Sequence, residues 1–320
     1  MSDLPQDRVT CSAPFSSVGL DCFGPFLTKR GRSECKRYGL LVTCLSSRAV
    51  HIEMLDDMSA DSFINGLRRV IAIRGPIDEI RCDQGTNFIG AVTDLDGATG
   101  KVEHALQVFA ANVGTKFVFN APGASHAGGV WERQIRSVRS ILNHTLSLSV
   151  GRLDDSALRT FLYEAMAIVN SRPLSPTTLN DPLVEPPITP NHFLTLKGRI
   201  VEPPPGNFVK EDVFSRKQWR RVQYLCEQFW SKWKTEYLLL LQSRQKWTRP
   251  RRNVSVGDIV ILVDESSPRN SWRLAKVIQV FPSKDGLVRK VQVRTSTSTG
   301  RPSVLERPIQ KIVVLVETSC

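Results

Sequence analysis

The chain has 320 residues, 41% of them hydrophobic and 23% charged, with a formal net charge of +12 and a sequence pI near 9.6. This composition excludes disorder throughout and leaves room for two cores, while the basic excess asks for an acidic partner, nucleic acid ahead of an anionic membrane. No apolar run approaches the roughly 20 residues that span a bilayer, the first residues hold no signal-peptide core, and seven cysteines without a Cys-x-x-Cys fit a reducing compartment, so a soluble intracellular protein is expected.

In chain order, residues 18–23, 38–45 and 49–55 predict three strands of an antiparallel meander. Gly24-Pro25 with Lys29-Arg30-Gly31-Arg32, and then Ser46-Ser47-Arg48, are the turn material. Asp21 stands between Leu20, Cys22 and Phe23 in the first strand. A carboxylate buried alone costs several kcal/mol, so it needs a cation, a metal or the solvent face, and strand alternation by itself favours the solvent face. A helix follows, with Ser59 as N-cap, Phe63, Leu67, Val70 and Ile71 as its stripe, and Gly75-Pro76 as its stop. The next strand, 77–82, ends in Asp83-Gln84-Gly85-Thr86-Asn87-Phe88. An acid at a strand's carboxyl end before a glycine lies where open α/β sheets hold ligands, although the same residues also make a plain turn. Asn87 in that turn is placed either to bond a phosphate or sugar or to bond its own backbone.

Residues 103–111 predict a short helix and 116–119 a strand, after which breakers and small residues make a loop up to Val130, with His126 read as a loop histidine. Trp131, Ile135, Val138 and Leu142 then fall at helical spacing, with Glu132 in the first turn and Arg136 and Arg139 one and two turns on. Such an acid beside cations suits a divalent metal next to a polyanion, and equally an ordinary i,i+4 pair. A last helix, from Asp154 or Asp155 to about Asn170, carries Leu158, Phe161, Leu162, Ala165 and Val169 on one stripe.

Residues 173–205 hold nine of the nineteen prolines and read as a linker. A long amphipathic helix follows, with Trp219, Val222, Cys226, Phe229, Trp230, Trp233, Tyr237, Leu240 and Leu241 as its apolar face, its aromatics serving the core rather than base stacking. Residues 210–252 carry twelve Lys or Arg against four Asp or Glu, a net of +8 (12 − 4), densest around Lys246, Arg249, Arg251 and Arg252, which are expected to contact DNA. Segments 256–263, 272–281, 287–295 and 309–316 predict four or five short strands, with Val291 and Val293 facing a core and Lys290 and Arg294 facing away. The expected domains are 1–172, the Pro-rich linker 173–212, and 213–320.

The runs 14–25 around Asp21, Cys82-Asp83-Gln84-Gly85-Thr86-Asn87-Phe88, 126–136 around Glu132, 169–174 and 189–193 together resemble the catalytic core of retroviral-type integrases, most closely those of BEL/Pao-class LTR retrotransposons. The resemblance covers nearly the whole chain. It implies an α/β RNase H-like core with a mixed five-stranded sheet and helices, followed by the linker, the long helix and a small all-β SH3-like barrel. It implies that Asp21, Asp83 and Glu132 hold two Mg²⁺ or Mn²⁺ ions for phosphoryl transfer on double-stranded DNA, namely 3′-end processing and strand transfer, with Arg136 and Arg139 holding DNA beside them. A homo-oligomer in the nucleus, without organic cofactor or membrane, is implied as well. The spacing 132 − 83 = 49 exceeds the commonest pattern, and Cys82 and Gln84 stand where the family has Ser and Asn. No His-x-x-x-His with paired Cys-x-x-Cys precedes Asp21, so a partial integrase, a fragment or a stand-alone descendant, is expected. The alternative is a host-adopted DNA-binding protein that keeps the fold without catalysis.

Overall fold

A computed structural model describes residues 12–83, 114–120, 130–149, 153–176, 187–197, 202–242, 252–264, 267–296 and 302–318. By packing the chain divides into two units, Met1–Asn170 with Gly206–Trp233, and Ser171–Pro205 with Lys234–Cys320. The Pro-rich stretch goes with the second unit, and the first part of the long helix goes with the first.

In the first unit, β1 (Ser17–Arg30), β2 (Ser33–Cys44) and β3 (Val50–Leu55) form the antiparallel meander, and β4 (Glu79–Asp83) and β5 (Lys116–Asn120) extend the sheet in parallel, giving the order β3-β2-β1-β4-β5. The first strand overruns its expected end. Gly24-Pro25 is a bulge inside β1, where the register shifts between Phe23 and Phe26, and the reversal falls at Gly31 instead. A bulge leaves a backbone donor unpaired, so proline, which has none, fits there. Gly24 has φ 125° and its Cβ would meet the Arg37 carbonyl at 3.1 Å, so glycine is required. Beyond the bulge Phe26 and Thr28 are buried, and Lys29 N–H donates to Leu153 O at 2.7 Å.

Helix α1 (Ala60–Arg74) is capped by Ser59, whose hydroxyl accepts from Ser62 N–H, and ends at Gly75 with φ 92°. The helices α2 (Val130–Ser147) and α3 (Asp155–Asn170) follow. The predicted α3 stripe, Leu158, Phe161, Leu162, Ala165 and Val169, is wholly buried. From α5 (Gln218–Leu241), Phe229 packs edge-to-face on Phe161 at 6.2 Å and Gln223 Nε2 donates to Glu164 Oε1 at 2.6 Å. As expected, Phe229, Trp230 and Trp233 serve the core, but Trp219 is exposed.

In the second unit, Leu174 and Ile188 are tied by paired backbone bonds, Leu174 N–H to Ile188 O and Ile188 N–H to Ser175 O, both 2.8 Å, before the short helix α4 (Pro190–Thr195). Strands β6 (Ile259–Leu262), β7 (Leu274–Pro282), β8 (Val288–Ser296), β9 (Pro302–Pro308) and β10 (Ile312–Val316) make a separate antiparallel sheet in the order β10-β6-β7-β8-β9. Val291 and Val293 enter its core with Val260, Ala275 and Val277, while Lys290 is exposed and bonds Glu306 at 2.9 Å. Among the described residues no helix is long and apolar enough to cross a membrane.

Candidate active site

Asp21 lies on β1 between buried Leu20 and Cys22, its own side chain 24% exposed. The parallel register pairs Ser17 with Glu79 through Leu20 with Cys82, so one further step sets position 83 beside position 21. That step falls where β4 ends and β1 runs on against β2 alone, at the carboxyl edge of the parallel part of the sheet.

Helix α2 reaches the same place. Ile135, Val138, Ile141 and Leu142 bury one face, and Gln134 Nε2 donates to Arg48 O at 3.1 Å, which fixes the helix's rotation. Positions 132, 136, 139 and 143 share the neighbouring stripe. Arg139 Nη1 donates to Asp21 Oδ2 at 3.1 Å. Helical side chains lean towards the N-terminus, so an Asp21 met by Arg139 lies over the turns that lead back to position 132, seven residues and about 10.5 Å of axis away. Arg136, one turn before Arg139, is exposed.

Of the three expected ligands, only Asp21 has its side chain among the described ones; Asp83 ends β4 and Glu132 sits in the first turn of α2. Asn87, Lys246, Arg249, Arg251 and His126 lie outside the described residues. Among the described residues no group of three or more His, Cys, Asp or Glu is arranged to hold a metal ion. Burial pushes the neighbouring Cys22 thiol well above its usual range, and Asp21 and then Cys82 add to the shift. Asp21 offers carboxylate oxygens, hard donors of the kind that suit Mg²⁺ or Mn²⁺.

Arg252, expected on DNA, is engaged within the second unit. Its Nη2 bonds Asp258 Oδ1 at 3.1 Å and its Nε lies 3.1 Å from Glu317 Oε2. Asp258, fully buried, also accepts from Ser255 N–H and Thr318 N–H, both at 3.0 Å.

One cluster escaped the sequence. His51 and Glu53 on β3 are buried with Nε2 and Oε2 3.5 Å apart; Arg74 Nε donates to His51 Nδ1 at 3.1 Å, Arg69 Nε to Glu53 Oε1 at 2.9 Å, and the Tyr163 hydroxyl to Glu53 Oε2 at 3.3 Å. The signal available was a His-x-Glu alternation in an otherwise apolar strand, followed by a helix rich in arginine.

Residues 217–315 match a family of unknown function, DUF5641. No curated protein matches the chain. Among 264 matching chains of solved structures is one from the cryo-EM structure of the simian T-cell lymphotropic virus intasome in complex with the PP2A regulatory subunit B56 gamma. The two share 10% identity, the match covers 97% of this chain and 84% of that one, and the TM-score is 0.36.

Proposed function

We propose that this chain is an integrase of the retrotransposon type, a nucleus-acting enzyme that processes DNA 3′ ends and joins them to a second duplex. In this reading the first unit is an RNase H-like core and the second an SH3-like barrel that grips DNA. The observation that carries it is the Asp21–Arg139 bond, which ties α2, the helix with Glu132 in its first turn, to β1 next to the strand that ends in Asp83. Asp21, Asp83 and Glu132 would hold two Mg²⁺ or Mn²⁺ ions, which supply an activated oxygen nucleophile and charge stabilisation at the leaving oxygen. Arg136, exposed one turn from Arg139, would position the phosphodiester. Two copies or more would be needed to act on two ends at once.

A second reading draws on the same bond. With Arg139 seated permanently on Asp21, the chain would be a DNA-binding protein that keeps the fold without strand transfer.

The test is cleavage and joining of labelled linear duplex with Mg²⁺ or Mn²⁺, for the parent chain and Asp83→Asn. The parent should nick near the ends and join, and the variant should fold normally and lose both by at least about a hundredfold, as expected when a charge-stabilising group is removed. A folded variant that cuts as well as the parent would remove Asp83 from the site, and a parent inactive under every condition would favour the silent reading.

A further inference from the structure

The geometry points to a regulatory role for Arg139: we propose that it is a displaceable counter-ion of Asp21, released when a divalent cation binds, so that cation binding and DNA-phosphate binding at this edge favour one another. This rests on the reading of Asp21 as a metal ligand. Three features carry it. Arg139 Nη1 approaches Asp21 Oδ2 at 3.1 Å, so a dication bonded to that oxygen at about 2.1 Å would place its charge beside the guanidinium. The two like charges repel across that oxygen, so the ion pair weakens as a cation binds there. The pair is also partly solvated, with side-chain exposures of 39% for Arg139 and 24% for Asp21, so holding it is worth no more than about a fivefold factor in an equilibrium. A bound dication outweighs that. Finally, α2 itself is held by buried Ile135, Val138 and Leu142, so the guanidinium can swing on its stem without moving the helix.

Once released, Arg139 presents a planar fork that suits a phosphate better than a single carboxylate oxygen. A phosphate that takes the guanidinium leaves Asp21 open to the cation, and by linkage the cation strengthens the phosphate contact by the same factor. Without either ligand, Arg139 keeps the Asp21 carboxylate neutralised at the sheet edge. The chain would then rest in a closed, charge-paired state that either ligand opens and that each opens more readily in the presence of the other.

The experiment measures Mn²⁺ affinity of the full chain from the free-ion electron paramagnetic resonance signal, for the parent, Arg139→Gln, Arg139→Met, Arg136→Gln and Asp83→Asn. Each is measured alone and with a short duplex, subtracting Mn²⁺ bound by duplex alone. Both neutral Arg139 variants should bind Mn²⁺ about two- to fivefold more tightly than the parent. Arg136→Gln, which removes a charge from the same stripe without touching the pair, should change affinity less than twofold. The duplex should tighten Mn²⁺ binding in the parent and do so less in the Arg139 variants. Unchanged or weaker Mn²⁺ binding in the Arg139 variants, or an equal gain in Arg136→Gln, would overturn the proposal. So would failure of both Arg139 variants to fold, since Arg139 would then belong to the fold. A parent that binds Mn²⁺ no better than Asp83→Asn would instead remove the metal reading from which the proposal starts.

Discussion

At the scale of single residues, Asp21, His51 and Glu53 each meet a charged partner, and the sequence shows the need but not the partner. Strand alternation favours the solvent face for Asp21, yet its carboxylate meets a cation 118 positions away on α2. His51 is similar. Burial, its largest influence, pushes the imidazole below its ordinary value, Arg74 adds to this, and only Glu53 pulls the other way. Burial pushes the Glu53 carboxyl up, but the His51 bond and the charge of Arg69 outweigh it and hold it below the usual range. Both folded values lie below the unfolded ones, so the unfolded chain takes up protons first. The stability from His51 is complete above its unfolded value of about 6.5 and is lost as pH falls from there towards the folded value; that from Glu53 goes below about 4.3. We therefore expect a melting temperature that is level between about pH 8 and 7, drops below about 6.5 and drops again below about 4.3. In His51→Gln the first fall should flatten while the plateau itself drops. An identical first fall in the variant would assign the acid sensitivity to other groups.

Among elements, the strong periodic stretches were legible and the joints were not. Ser59 and Gly75 bound α1 where capping chemistry predicts, and the α3 stripe is buried as its spacing requires. The bulge at Gly24-Pro25 reads as a turn because the same residues serve both, and only Phe26 and Thr28 returning to the interior decide for continued strand. The joint between α3 and β3 was likewise hidden. Asn170, at the end of α3, accepts from Val50 N–H through Oδ1 and donates to Val50 O through Nδ2, both at 2.8 Å, and so completes the edge of the sheet with a side chain. Asn170→Ala would strand a buried donor and a buried acceptor, at about 1–3 kcal/mol each, so a loss of about 2–6 kcal/mol in urea unfolding is expected. A loss under about 0.5 kcal/mol would mean that water takes over both bonds.

For the whole molecule, the basic surplus favours an acidic partner but does not say which cations would meet it. The apolar stripe of α5 likewise shows that the helix is buried without showing that Phe229 and Gln223 pack against α3. In the run 246–252 Arg252 alone lies among the described residues. Arg252 offsets the buried Asp258 carboxylate, and the Asp258 bond, the largest influence, raises its own pKa. Removing it leaves that carboxylate with the Ser255 and Thr318 N–H groups alone, at a cost of about 1–3 kcal/mol. Arg252→Ala should therefore lower the melting temperature while leaving the slope of log K for duplex binding against log salt unchanged. The triple variant Lys246→Ala, Arg249→Ala, Arg251→Ala should do the reverse, keeping stability and lowering that slope by up to about 2.7, at about 0.9 for each lost phosphate contact. Both variants are compared by thermal melting and by duplex affinity at several salt concentrations. A reduced slope with unaltered melting in Arg252→Ala would mean that its guanidinium leaves Asp258 for phosphate, and a slope unmoved in the triple variant would place the DNA-facing charge elsewhere in the chain.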